Sequence, residues 1–521
     1  MNNNMNQIKV YTRDADDNGY SKDIAASVHI AYVTEAGDIK PFNNNYGVLF
    51  AKGKITSKNT IKCIGLKNPS IHKAADDLYI ICAPLCDKET GYDEDTRGSV
   101  AMWVTTDMVD FSEMKMLHLN TDSLVDRISV SYNTPMGRYE LVWADMDGKT
   151  YVNYCIDVIN QVDVSMPFAA EGIEVPVSDT TEVSDTTLAR MNNKLGSFRK
   201  GNPSDTAMEF EFPLAVGWAD PQVFKWNDKY YFIATNDNNN NIGLFVRESD
   251  TVKGLFEEAE PVLILPERKE KKLIQTFWAP EFHVINDELY ILFAVSGEEF
   301  GPQCHMMKLK AGGNILCEND WEEPVRVKKA NGDFLADKGI TLDMTYFEAG
   351  GKSYLCWSYR EHIFSELDTG SMLYIATIDK ENPYVLTSEP VLLSRPLFGW
   401  ENTDGTINNE GPFAFKKDGV VYLAISGGSA CGDSYAVGFL IADERDDLLN
   451  VVNWYKKPFP IHTSYTIPGE YGPGHNSFFT DDNGNVYIVY HAKEALRDAP
   501  RCTGIQLMDF DEDGEPYVVC K

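Results

Sequence analysis

The chain has 521 residues, too many for one ordinary domain, so two units or a large repeat architecture are expected. With 47 basic against 79 acidic residues the formal net charge is −32, which argues against a nucleic-acid or anionic-membrane partner and favours a neutral or cationic ligand. Apolar residues at 43% and aromatics at 12% are enough for a large core.

The first stretch, "MNNNMNQIKVYTRDADDNGYSKD", has no basic region followed by an apolar run, and no segment of the chain reaches the ~18 apolar residues of a membrane span. Ten cysteines are scattered through strand-like segments without a CxxC or zinc-like spacing. The expectation is a cytoplasmic protein with buried free thiols and no membrane partner. Residues 1–170 are β-rich but irregular. "NPSIHKAADDLYIICA", "GSVAMWVTTDMVDFSE" and "GRYELVWADMDGKTYVNYCIDV" each suggest paired strands. Degenerate propeller blades, a β-sandwich or a flanking sheet all fit, and this part is expected to be an accessory domain.

Residues 171–204, rich in Val, Thr, Ser and Asp, are expected to form a linker. Within it the pattern predicts a short helix over 185–195, with Ser184 as N-cap and Gly196 as its stop.

From residue 205 to 521 one pattern recurs five times: "ADPQVFKWNDKYYFIAT", "APEFHVINDELYILFAV", "LDMTYFEAGGKSYLCWS", "NEGPFAFKKDGVVYLAISG" and "GHNSFFTDDNGNVYIVYHA". Each has a polar head, a short alternating run, a turn, and an apolar run carrying a tyrosine. The heads Asp220, Glu281, Asp343, Glu410 and His475 are separated by 61, 62, 67 and 65 residues. Units of roughly sixty residues fit four-stranded blades with generous loops, since kelch-type units run to about 50. Five of them close a ring that leaves no long exposed edge. The expected fold is therefore all-β: a five-bladed β-propeller catalytic domain preceded by the β-rich accessory domain. If every inner strand starts at the same level of the axis, four carboxylates and a histidine converge at one mouth.

The sequence has no GxSxG elbow, P-loop, GxGxxG after a strand or HExxH pair. A carboxylate-rich funnel flanked by aromatics suits cleavage of a glycosidic bond. One protonated carboxyl donates to the leaving oxygen and one ionised carboxylate activates water or attacks carbon. A third carboxylate close by raises the pKa of the acid.

The segments "GWADPQVFKWNDKYYFIAT", "FWAPEFHVINDELYILFA", "LDMTYFEAGGKSYLCWS", "NNEGPFAF", "GPGHNSFF" and "RCTGIQLMDFDEDGEP" resemble, in order, the blade signatures of glycoside hydrolase family 43. The resemblance implies a five-bladed propeller, inversion at the anomeric carbon and hydrolysis of pentose-containing polysaccharides. It puts Asp220 in the place of the general base, Glu410 in that of the general acid, and Asp343 in that of the residue that tunes the acid. It gives His475 a place near the axis, where a calcium ion or its waters can be met, with no cofactor required. It also makes Arg501 a sugar contact. Trp278 and Trp218, beside the heads, are expected to line the pocket, whereas His491 reads as a packed strand-end histidine. The implied substrate is a small arabino- or xylo-oligosaccharide, with release of α-L-arabinofuranose favoured. A β-xylosidase and a non-catalytic carbohydrate-binding propeller are the alternatives.

Overall fold

The computed structural model describes residues 6–16, 20–75, 77–87, 91–271, 273–403 and 405–520. Two compact units emerge. One comprises residues 1–54, 62–199 and 397–400; the other comprises residues 55–61, 200–396 and 401–521.

The first unit contains three antiparallel sheets of four or five strands. In the first of these, Thr180–Val183 pairs with Asn6–Tyr11, which pairs in turn with His29–Val33. The segment expected to be a linker thus completes a sheet, with Val183 at the end of the strand buried. Helix Asp185–Leu195 follows, with the Ser184 hydroxyl accepting the Thr187 N–H at 3.1 Å. Gly196 ends it for a steric reason, since a β-carbon there would lie 2.3 Å from the Asn192 carbonyl oxygen.

The second unit is a five-bladed β-propeller. The inner strands are Trp218–Trp226, Gln275–Ile285, Ile340–Ala349, Asn409–Lys417 and Tyr471–Thr480, each the first strand of an antiparallel meander. Each inner strand packs against the inner strands of the two neighbouring blades, so the five form a closed ring. The turns after the first four are two-residue pairs with both φ values positive: Asn227-Asp228, Asn286-Asp287, Gly350-Gly351 and Asp418-Gly419. Such turns match the twist of the strands they join, and Asn, Asp and Gly tolerate that conformation best.

The repeated tyrosines are core residues. Tyr231, Tyr290, Tyr422 and Tyr487 lie in four successive hydrophobic clusters between blade faces, with blade faces meeting through partners such as Phe282, Trp357, Phe478 and Val489. Two polar clamps also join blades. The Gln222 amide exchanges two hydrogen bonds with the Phe282 backbone at 2.6 and 3.0 Å, and the Ser477 hydroxyl donates to the Pro221 carbonyl at 2.8 Å. The ring is closed by the short strand Ala215–Val216, which adds to Cys502–Phe510 of the last blade immediately before the first inner strand begins.

Candidate active site

Each inner strand breaks register at one level. Bulges fall at Ala219/Gln222, Trp278/Glu281, Leu342/Thr345, Glu410/Phe413 and Gly474/Ser477. In every bulge one residue has left-handed backbone: Asp220 (φ 52°), Ala279 (45°), Asp343 (54°), Gly411 (55°) and His475 (42°). A bulge re-aims a side chain, and left-handed non-glycine residues persist only where their surroundings hold them. The surroundings here belong to the adjacent blade. In three blades a residue near the end of the second strand reaches forward, so that Thr235 Oγ1 accepts the Ala279 N–H at 2.9 Å and Ser426 Oγ the His475 N–H at 2.8 Å. His491 Nδ1 accepts the Asp220 N–H at 3.2 Å.

Asp220 is buried. Its Oδ2 accepts the Thr235 hydroxyl at 2.6 Å, while Oδ1 faces Arg501 Nη1 at 3.3 Å, His491 Nδ1 at 3.2 Å and His475 Nδ1 at 3.4 Å. Burial alone would raise its pKa, but His475, Arg501 and His491 outweigh that and hold the carboxyl well below the usual range. His475 is itself pushed down to about 4 by burial, so it is neutral at neutral pH while Arg501 keeps its charge.

Asp343 and Glu410 are driven the other way. Burial, then the charges of Glu410 and Asp220, raise Asp343 well above the carboxylate range. Burial lifts Glu410 to about 7, with Asp220 adding to the rise and the Tyr435 hydrogen bond, Arg360 and Arg501 opposing it. The two groups are tied through the backbone, since the Gly411 N–H donates to Asp343 Oδ2 at 3.0 Å. Their surroundings therefore favour a proton shared by the pair and the ionised form of Asp220. Gly411 is required twice over: its φ is positive, and a β-carbon there would sit 3.1 Å from His475 Cγ.

The structure brings Asp220, Asp343, Glu410, His475 and Arg501 together. Arg501 is engaged by carboxylates, with Nε and Nη2 on Asp237 at 2.9 and 2.7 Å. Trp278 is half-buried and precedes Ala279, whose N–H shares the Thr235 hydroxyl with Asp220. Trp218 is buried. Its indole packs edge-on against Phe232 and Phe245 with the Arg247 guanidinium 5.1 Å from the ring, so it belongs to the blade core instead of a sugar pocket. Glu281 is buried against His283 Nε2 at 2.6 Å.

A profile of glycosyl hydrolases family 43 matches residues 213–516. The chain belongs to that family. Within it, the chain is 32% identical over 309 residues to an alpha-L-arabinofuranosidase B of Pyricularia oryzae, covering 57% of this chain and 60% of that protein. It is 32% identical over 323 residues to an extracellular exo-alpha-(1->5)-L-arabinofuranosidase of Streptomyces avermitilis, covering 60% of this chain and 64% of the relative. The chain thus spans less than two thirds of the length of both. The crystal structure of an alpha-L-arabinofuranosidase from Lactobacillus brevis matches 60% of this chain and 96% of its own at 29% identity and a TM-score of 0.52. The extracellular name of the Streptomyces relative overturns the cytoplasmic placement expected from the N-terminal stretch.

A calcium ion at the family's axis would have to be held near His475. Among the described residues no group of three or more His, Cys, Asp or Glu is arranged to hold a metal, and His475 Nδ1 faces Asp220 and, at 4.0 Å, Asp343. Such an ion would have to be held by His475 and otherwise through water, and no step of the chemistry runs through it.

Sequence reasoning missed Tyr435, Thr235 and the contact of His491 with Asp220. A signal was present. Thr235, Ser296, Ser358, Ser426 and His491 follow the five heads by 15, 15, 15, 16 and 16 residues, a second polar period that ends each second strand.

Proposed function

We propose that this family 43 chain is an inverting, exo-acting glycosidase that releases α-L-arabinofuranosyl residues from arabinan- or xylan-derived oligosaccharides outside the cell. The observation that carries this reading is the opposed state of two buried carboxyls on one ring of inner strands: Asp220 held ionised and Glu410 lifted to about 7. Environments that push carboxyl pKa values apart assign the base and the acid. Asp220 takes a proton from water as the water oxygen bonds to the anomeric carbon. The glycosidic C–O bond breaks, and the leaving oxygen takes the proton of Glu410. Asp343, tied to Gly411, orients the acid and adds its charge or its proton to the pair. Arg501 keeps the base ionised. The names of the similar arabinofuranosidases support the sugar.

The test is hydrolysis of paired 4-nitrophenyl α-L-arabinofuranoside and β-D-xyloside, with Asp220→Asn as control and the anomer of the first product followed by NMR. Turnover of the arabinofuranoside with the inverted anomer, lost in Asp220→Asn, is expected. Turnover of the xyloside alone would make the chain a xylosidase, and retention would overturn the assignment of Asp220 as base.

A further inference from the structure

Tyr435 and His491 form a continuous link between the two proposed catalytic carboxyls. The Tyr435 hydroxyl is fully buried and donates to Glu410 Oε1 at 3.0 Å. Its ring stacks on the His491 imidazole with centroids 5.5 Å apart and planes within 12°. His491 Nε2 lies 3.1 Å from the Ala430 carbonyl oxygen, which can only accept, so the ring proton resides on Nε2. That leaves Nδ1 as an acceptor for the Asp220 N–H. Gly474 exists to admit this stack, since a β-carbon there would fall 2.1 Å from the Tyr435 ring.

Resting on the function proposed above, we infer that Tyr435 is a positioning residue that confines the proton of Glu410 to Oε2, and that the Tyr435–His491 stack is the spacer between the acid and Asp220. Tyr435 donates its only hydrogen to Oε1, so a protonated Glu410 carries its own hydrogen on the other oxygen, the one free to meet a leaving group. As that proton departs, the phenol bond becomes one to an anion and strengthens, which lowers the barrier to proton donation. The groups facing Glu410 are Asp343, Asp220, Arg360 and Arg501 besides Tyr435, and the first four are untouched when the phenol oxygen is removed.

The test is Tyr435→Phe, which keeps the stack on His491 and removes the donor. Glu410 is followed directly by 13C NMR of labelled glutamate carboxyls, assigned by loss of the signal in Glu410→Gln. Its titration is expected to move up by about one unit from about 7. Hydrolysis of an arabino-oligosaccharide is expected to fall about 10- to 100-fold, and that of a nitrophenyl glycoside less than about threefold, because a good leaving group needs little protonation. An unmoved Glu410 titration, or equal losses on both substrates, would overturn the inference. Site-specific difluorotyrosine at 435, a stronger donor of the same shape, must move the titration downward, and a failure to do so overturns it as well. If the unaltered protein cleaves neither substrate, the function proposed above falls, while the NMR titration still decides the role of Tyr435.

Discussion

Replacing Arg501 by Met would remove the one permanent cation beside the proposed base. Arg501 Nη1 lies 3.3 Å from Asp220 Oδ1, with side-chain exposures of 13% and 7%, so water screens the pair poorly. At an effective dielectric of about 20, two unit charges at 3.3 Å attract by about 5 kcal/mol. Removing one partner of a buried pair costs about 3–5 kcal/mol, because the other charge is left without a counter-charge. Asp237, the second partner of Arg501, has 28% exposure and can turn to solvent, whereas Asp220 cannot. The sign for pH follows from the direction of the shift. Asp220 is depressed in the folded state, so its contribution to stability is present above the ordinary carboxylate range and is lost as pH falls through the lower folded value. Without Arg501, the burial that raises the carboxyl is opposed less, and its pKa rises. The assay is kcat/KM on the aryl arabinofuranoside against pH, paired with urea unfolding at neutral pH. The acid limb should move to higher pH and stability should drop by about 3–5 kcal/mol, with Arg501→Lys in between. A folded Arg501→Met protein with an unmoved acid limb and stability within about 1 kcal/mol of the original would refute the reasoning.

Glu410→Gln should reduce hydrolysis of oligosaccharides by about 10²- to 10⁴-fold. It should also melt at a higher temperature than the unaltered protein at pH 8, because the raised pKa of Glu410 means that stability falls as pH rises through about 7. A lower melting temperature at pH 8 would show that Glu410 is not held protonated by burial. Trp218→Ala should cost about 3–5 kcal/mol in urea unfolding with KM little changed, as for a core aromatic; a raised KM at full stability would return Trp218 to the substrate pocket.

The ring was readable because a blade's inner hairpin has strong local chemistry. Asn-Asp, Gly-Gly and Asp-Gly turns and a buried tyrosine mark the hairpins locally, and the heads recur every 61 to 67 residues. Less readable was which residue occupies the left-handed position of each bulge. In the second and fourth blades it is Ala279 and Gly411, whereas the sequence period ran through Glu281 and Glu410. A one- or two-residue offset within a bulge leaves no mark on hydrophobic alternation. Trp218 was misplaced because two residues before a catalytic-looking acid says nothing about which face of the strand a side chain takes once a bulge intervenes. The stacking of Tyr435 on His491 was invisible for another reason: it joins residues 56 positions apart across a blade boundary.

The forward reach of three of the second strands has a consequence for how variation in this chain will express itself. The backbone of Asp220 is held by the fifth blade, that of Ala279 by the first, and that of His475 by the fourth. A substitution at Ser426 or His491 therefore reaches the head of the neighbouring blade, and one at Thr235 reaches both Ala279 of the next blade and Asp220 of its own. A first, second or fifth blade exchanged singly would arrive without the residue that holds its own head, whereas a pair exchanged together would bring that residue for its second member.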